Sequence, residues 1–99
     1  MADGQVSVAL SRAATEWHQR LTPERRAIVD ERLRQLARYP ERAIKVPEGD
    51  EELLTAIIMV RDREVWAYRV TFVVDEVMSR HLPAIKVLTV RQLPFPALR

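Results

Sequence analysis

The C-terminal half of the sequence contains three strand-length apolar segments in close succession. They are LLTAIIMV (53–60), VWAYRVTFVV (65–74) and AIKVLTVRQL (84–93). Segments of this length that are rich in β-branched and aromatic residues and bounded by polar or proline-containing stretches are typical of strands. Residues 61–64 are few enough for a hairpin, so the three predicted strands can pair as an antiparallel meander.

The N-terminal half predicts one strand and two helices. QVSVAL (5–10) alternates polar and apolar residues, which indicates a half-buried strand. Ser11 is a predicted N-cap for a first helix that ends at Leu21, and Thr22-Pro23-Glu24 is a start signal for a second helix that Pro40 closes. The short link between the helices predicts an antiparallel helical hairpin.

This element order predicts a single α+β domain over residues 1–99. We expect a two-layer sandwich in which the helical hairpin packs on a roughly four-stranded, mainly antiparallel sheet. The first strand joins at an edge or beside the last strand, and the sequence leaves both positions open. On the polar face of the second helix, Arg26/Asp30 and Asp30/Arg34 stand four residues apart and are predicted ion pairs.

Composition narrows the classes of function. There is no cysteine and there are two distant histidines, so we expect no metal site, and no cofactor motif stands out. No segment reaches the roughly 20 apolar residues of a membrane span, and the N-terminus lacks the features of a signal peptide, which predicts a cytoplasmic protein without membrane contact. After Glu76 the sequence is basic and lacks carboxylates, which fits a phosphate-bearing or acidic partner.

Arg69 lies in the middle of the most strand-like segment. Alternation places Trp66, Tyr68 and Phe72 on one face, toward the helices, and Arg69 on the other, open face. There its guanidinium can bind a phosphate or carboxylate. The alternative is that Arg69 pairs with a carboxylate of a neighbouring strand or is merely solvated.

Other cations could extend this site into an anion-binding floor. Arg61 is predicted near a strand end and Arg63 in the turn that follows. Regular alternation puts Lys86 and Arg91 on opposite faces of the last strand, so one of the two joins Arg69 on the open face. Which of them does so depends on strand register.

The element order and several segments resemble the RelE/ParE superfamily, the small bacterial toxins of type II toxin-antitoxin systems. The matching segments are VSVALSRAATEWHQRL, RAIVDERLRQLARYP, AYRVTFVV and IKVLTVRQL, which cover most of the chain. Tyr68-Arg69-Val70, with an aromatic residue two positions later, is the most specific match. The resemblance implies a helical hairpin on a twisted sheet, and an antitoxin partner whose C-terminal segment wraps the toxin.

The superfamily has two branches with different targets. RelE-like members cleave mRNA in the ribosomal A site, where basic residues of the open sheet face hold phosphates and the strand arginine stabilises the transition state. The resemblance implies that catalytic role for Arg69, and RNA binding for Arg61, Arg63, Lys86 and Arg91. ParE-like members act on DNA gyrase and need no nuclease centre. The sequence leaves both targets open.

Part of the nuclease pattern is missing from the end of the chain. RelE-like nucleases carry a tyrosine or histidine that acts as acid or base after the last strand, where this chain has QLPFPALR. Phe95 could stack on a base but cannot transfer a proton. His81, in the loop before the last strand, is a candidate acid or base, because an imidazole side chain can both donate and accept a proton. Endoribonuclease activity is therefore left open.

The segment LLTAIIMV supports an alternative function. The predicted strand is apolar on both faces, so we expect each face to be shielded from water by other residues or by a partner. One cover is the helical layer, and the other is an antitoxin segment or a second copy of this chain. The alternative is therefore a catalytically inactive RelE-like fold that serves as a protein-interaction module or a homodimer.

Overall fold

The computed structural model describes residues 5–46 and 53–94, and within them two helices pack on one face of a five-stranded mixed sheet. The elements are β1 (Ser7–Leu10), α1 (Arg12–Gln19), α2 (Pro23–Arg38), β2 (Ile44–Lys45), β3 (Leu54–Arg61), β4 (Val65–Val74) and β5 (Ala84–Leu93). This confirms the predicted α+β class. Phe95, the rest of the C-terminal tail and the acidic residues 48–52 lie outside the described residues.

Both predicted helix starts are confirmed by their capping hydrogen bonds. The Ser11 hydroxyl accepts a bond from the Ala14 amide at 3.1 Å and also donates one to the carbonyl of Leu88 in β5 at 2.6 Å. The Thr22 hydroxyl accepts a bond from the Arg25 amide at 3.3 Å, with a proline at the first helical position. α1 ends at Gln19, two residues before the predicted end.

The polar contacts of the helical hairpin differ from the predicted ones. Asp30 Oδ1 lies 2.6 Å from His18 Nε2 across the hairpin, and the pairs of Asp30 with Arg26 and Arg34 do not form. Arg26 instead donates to three main-chain carbonyls around the end of α1, those of His18, Gln19 and Leu21. Carbonyls at the C-terminal end of a helix lack the amide partners of its interior, so Arg26 supplies donors there, although the His18 carbonyl also accepts a bond from the Leu21 amide at 3.2 Å.

The strand order is β1-β5-β4-β3-β2. The strands β3, β4 and β5 form the predicted antiparallel meander, and β1 lies parallel to β5, which decides the position that the sequence left open. The additional strand β2 lies between α2 and β3, where the sequence pattern indicated no strand, and it pairs Ile44 with Thr55 and Lys45 with Leu54. Two residues carry no periodicity that a sequence pattern could reveal.

The hydrophobic core lies between the helices and the sheet. The Tyr68 ring packs edge-on against that of Trp17, with ring centroids 5.1 Å apart. Fully buried side chains come from both layers, namely Val29 and Leu33 of α2 and Val60, Val70, Phe72, Ile85 and Val87 of the sheet. In the described part of the chain neither helix is long and apolar enough to cross a membrane.

Candidate anion-binding face

Arg69 and Arg91 form a cross-strand pair at the centre of the open sheet face. Arg69 of β4 is directly opposite Arg91 of β5, and both side chains are exposed. Directly opposed residues of antiparallel strands point to the same face, with Cβ atoms about 4.5–5.5 Å apart. We call these two residues the arginine pair. Two long side chains that start this close together on one face can reach a common anion.

A β-bulge places Lys86 on the same face as the arginine pair. Arg91 opposes Arg69 and Lys86 opposes Val73, and both partners are on the open face of β4. The register shifts between Thr71 and Phe72, so that Leu88 is the extra residue on β5. The prediction that Lys86 and Arg91 occupy opposite faces is therefore wrong, because an odd number of inserted residues reverses the alternation beyond it.

The arginine pair has no acidic partner among the described residues. The strands β3, β4 and β5 contain no aspartate or glutamate. Ion pairs of the described residues lie elsewhere, at Arg12–Glu16, His18–Asp30, Arg25–Asp62 and Arg34–Glu31. Within residues 5–46 and 53–94, the alternative in which Arg69 pairs with a carboxylate of a neighbouring strand is therefore not observed.

Hydroxyl groups and apolar side chains flank the arginine pair on the open face. Thr71 opposes Thr89 on one side and Thr55 on the other, which forms a row of three threonines beside the arginines. Arg69 is opposed on β3 by Ile57, whose side chain is 59% exposed. The face thus combines cations, hydroxyl donors and exposed apolar surface.

Arg61 and Arg63 lie at one end of the sheet. Arg61 is the last residue of β3 and Arg63 is in the β3–β4 turn, as predicted. Both line a cleft of about 480 Å³ whose wall also includes Trp66 and Leu93. Arg61 is four residues from Ile57, or about 13 Å along the strand, so the structure does not bring it next to the arginine pair.

His81 lies at the other end of the sheet. It is exposed in the loop that joins β4 to β5, and its amide donates to the Met78 carbonyl at 2.9 Å. The loop starts after Val74, five residues from Arg69 and about 16 Å along β4. The described structure therefore does not place His81 beside the arginine pair.

A second cationic group was missed by the sequence analysis. Arg25, near the start of α2, stacks over the ring of Trp66 with 4.1 Å between its Cζ atom and the ring centroid. Its Nη2 atom lies 3.3 Å from Asp62 Oδ2, which connects the hairpin to the β3–β4 turn. The residues are far apart in sequence, so no local spacing could have indicated the contact.

Two titratable groups near Arg25 have displaced pKa values. The Glu64 amide donates to the Asp62 carboxylate and, with a smaller contribution from Arg25, holds the pKa of Asp62 below its usual value. Burial raises the pKa of the Tyr68 phenol, because the phenolate would be poorly solvated in the core. Neither group faces the arginine pair, so both are structural.

The described residues contain no cluster of three or more histidine, aspartate or glutamate side chains that could hold a metal ion. The open face itself presents cations and hydroxyl groups, which can bind, orient and neutralise an anion.

Comparison with known proteins supports the architecture. No family model matches the chain. No curated protein matches it either. Among solved structures, a chain of the intact E. coli RelBE toxin-antitoxin complex matches with a TM-score of 0.58 at 16% sequence identity, and the match covers 89% of this chain and 96% of that chain. The fold is therefore RelE-like, as the sequence resemblance predicted.

Proposed function

We propose that this chain is the toxin-like component of a toxin-antitoxin pair and that its open sheet face binds RNA phosphates during translation. The arginine pair carries this proposal. It places two arginines opposite each other on neighbouring strands, without a described carboxylate to neutralise them, on a fold similar to that of a chain in a toxin-antitoxin complex.

The chemistry of the open face suits a phosphodiester. Guanidinium groups bind phosphate oxygens through paired N–H donors, and two neighbouring guanidiniums can hold one phosphate from both sides. Thr71 and Thr89 add hydroxyl donors beside them. Lys86 and Arg61 lie on the same face, on either side of the pair along the strands, and can contact phosphates further along an RNA strand.

Cleavage of RNA by its 2′-hydroxyl needs more than cations. A base must remove the hydroxyl proton, an acid must protonate the leaving 5′-oxygen, and positive charge must stabilise the pentacovalent phosphorus between them. Arg69 and Arg91 would supply the last of these. The described open face has no carboxylate, histidine or tyrosine that would supply the proton transfers. We therefore propose RNA binding as the activity of this face, and the primer-extension experiment described below tests for cleavage.

Expression in a bacterial host tests the proposal. We expect induced expression to arrest growth, and Arg69→Ala and Arg91→Ala to relieve the arrest while the circular dichroism spectrum stays unchanged. Arg12→Ala is the matched control, because the Arg12 side chain is 95% exposed on α1, away from the open face. Translation of a reporter in a cell-free extract should fall with the unchanged protein and recover with the two open-face variants.

Two further readouts separate the targets. Primer extension on the reporter mRNA would show new ends if the chain cleaves RNA, and none if it blocks translation by binding. A gyrase supercoiling assay covers the other branch: inhibition of supercoiling with normal translation would overturn the proposed RNA target. The same variants and control apply to both assays.

A second function is favoured by the apolar part of the open face. Ile57 and Met59 of β3 are 59% and 48% exposed, and Ile44 of β2 is 72% exposed. A fold of this kind can act as a protein-interaction module through such a surface without any effect on RNA. Harmless expression, together with an unchanged rate of cell-free translation, would favour this second function.

A further inference from the structure

The strand β1 forms one edge of the sheet. It pairs with β5 on one side, and within residues 5–46 and 53–94 no strand lies on its other side. Exposed edges often carry charged residues, prolines or bulges that prevent pairing with another chain. The sequence of β1 is Ser-Val-Ala-Leu, and its register with β5 is regular from Ser7 to Leu10, so it has none of these three features. Apart from being short, this edge is therefore unprotected.

The backbone groups on the free edge belong to Val8 and Leu10. The Ser7 amide donates to the Pro83 carbonyl at 2.8 Å, and the Ser11 amide donates to a carbonyl of β5 at 2.9 Å, so both amides point toward the sheet. Successive residues of a strand direct their backbone groups to opposite sides. Val8 and Leu10 therefore direct theirs away from β5, toward a possible partner strand.

A groove of about 300 Å³ lies between this edge and the helical hairpin. Its apolar lining comes from both layers, with Val6, Val8 and Leu10 on the strand side and Leu33 on α2. The three strand-side residues are partly exposed at the margin of the core. Covering them would remove apolar surface from water, which is the main favourable contribution to most protein association.

The same groove is lined by charges of both signs. Asp30 lies in it with its carboxylate 2.6 Å from His18, and Arg34 stands one turn further along α2 with 51% of its side chain exposed. The only printed acidic contact of Arg34 is Glu31 on the same helix, an exposed pair that contributes little to stability. In a two-fold interface, Asp30 of each copy can face Arg34 of the other. The groove is therefore complementary in charge to itself.

The groove on the other side of α2 lacks this property. Its described lining contains Arg32 and Arg42 and no carboxylate. Two copies that met there would bring like charges together, which is unfavourable. Of the two grooves beside α2, the one at β1 is therefore the one that suits a second copy of this chain.

We propose that a second copy of this chain pairs with β1, edge to edge and antiparallel, so that two five-stranded sheets become one continuous sheet. The backbone groups of Val8 and Leu10 would pair across the two-fold axis, and Asp30 and Arg34 of the two copies would form reciprocal ion pairs. A pair of short strands is marginally stable by itself, so the side chains of the groove must supply most of the affinity.

This dimer would join the open faces of the two copies. Ala9 of β1 is the register partner of Lys86 in β5. The β5 strands of the two copies would be three strand spacings apart, or about 14 Å across the sheet. The cations of both open faces would then lie on one surface. The proposal concerns the assembly and does not depend on what that surface binds.

Sedimentation velocity and NMR on the unchanged protein test this proposal. As concentration rises, we expect the average mass to increase from that of one chain toward that of two. Over the same range the amide resonances of Val8 and Leu10 should shift and their hydrogen exchange should slow. Ile57 and Met59, on the far side of the sheet, should show neither change. Because these measurements use the unchanged protein, they do not depend on the folding of any variant.

Charge reversal on α2 gives a second measurement. We expect Arg34→Glu to weaken dimerisation on the order of tenfold, because it places a glutamate opposite Asp30 of the other copy. Arg32→Glu is the matched control, because it makes the same change on the opposite side of the same helix. It should leave the dimerisation constant unchanged.

Three outcomes would overturn the proposal. They are the mass of one chain at every concentration, a dimer whose protected amides lie away from β1, and equal weakening of the dimer by the two charge reversals. Each of them leaves the growth-arrest test unaffected, since Arg69 and Arg91 do not line this groove.

Discussion

At the scale of single residues, the arginine pair is unfavourable for folding. Like charges directly opposite each other in an antiparallel sheet destabilise it, and no described carboxylate offsets this repulsion. A chain selected for stability alone would place an uncharged β-forming residue at one of the two positions. The retained repulsion is consistent with a site that becomes neutralised when an anion binds.

We expect Arg91→Thr to raise the free energy of unfolding by about 0.2–1 kcal/mol at low salt, because it removes the repulsion from Arg69. The gain should shrink as ionic strength rises, since both groups are exposed. Urea unfolding measures it. Arg61→Thr is the control, because Arg61 is opposed by Val65 and its replacement removes no like charge. Equal effects of the two substitutions would contradict the repulsion.

The burial of Tyr68 is expected to make the free energy of unfolding fall at alkaline pH. Its pKa is raised in the folded state by burial, so the neutral phenol is favoured by folding. This contribution is fully present below the usual tyrosine pKa of about 10 and is lost as pH rises from there through the raised folded pKa. We expect the unfolding free energy to fall above pH ~10 and Tyr68→Phe to remove part of that fall. Identical pH profiles for the two proteins would refute the assignment.

At the scale of elements, one side chain couples α1 to β5. The Ser11 hydroxyl caps α1 and also donates to the Leu88 carbonyl at the bulge that places Lys86 on the open face. Bulges leave backbone groups without ladder partners, and here a side chain from a helix start supplies one. The geometry of the open face therefore depends on a contact from the helical layer.

We expect Ser11→Ala to cost about 1–2 kcal/mol of unfolding free energy, because it removes the cap and leaves the Leu88 carbonyl without this donor. Thr22→Ala is the matched control, because Thr22 caps α2 through an exposed bond and its hydroxyl makes no contact with the sheet in the described structure. Its cost should be smaller. Chemical denaturation of both variants compares the two costs, and a larger cost at Thr22 would contradict the coupling.

At the scale of the whole molecule, the helical layer stabilises one face of the sheet and the other face carries the candidate site. The helical layer covers the aromatic face of the sheet and leaves the other face, with Arg61, Arg69, Lys86 and Arg91, open within the described residues. The net charge of +2 is modest, so the cationic character arises from where the basic residues lie more than from their number.

Binding of single-stranded RNA should therefore depend steeply on salt. If these four cations each neutralise a phosphate, the logarithm of the binding constant should fall with the logarithm of salt concentration with a slope of about −3, from ~0.7 per contact. Arg69→Ala should reduce the slope to about −2, and Arg12→Ala should leave it unchanged. Fluorescence anisotropy with a labelled uridine oligomer measures it. A slope near zero would exclude phosphate binding by this face.

The sequence by itself determined the layers of this protein. Apolar periodicity, the caps at Ser11 and Thr22, and the alternation around Arg69 are local properties, and each predicted its element or face correctly. The sequence did not determine the contacts between distant segments. The parallel pairing of β1 with β5, the short strand β2 and the stacking of Arg25 on Trp66 all depend on how the elements pack.

The bulge at Leu88 shows most directly why the sequence could not determine such contacts. One unpaired residue reverses the alternation of a strand, and only the register with β4 decides where that residue falls, so the tertiary structure decided that Lys86 and Arg91 share the open face with Arg69.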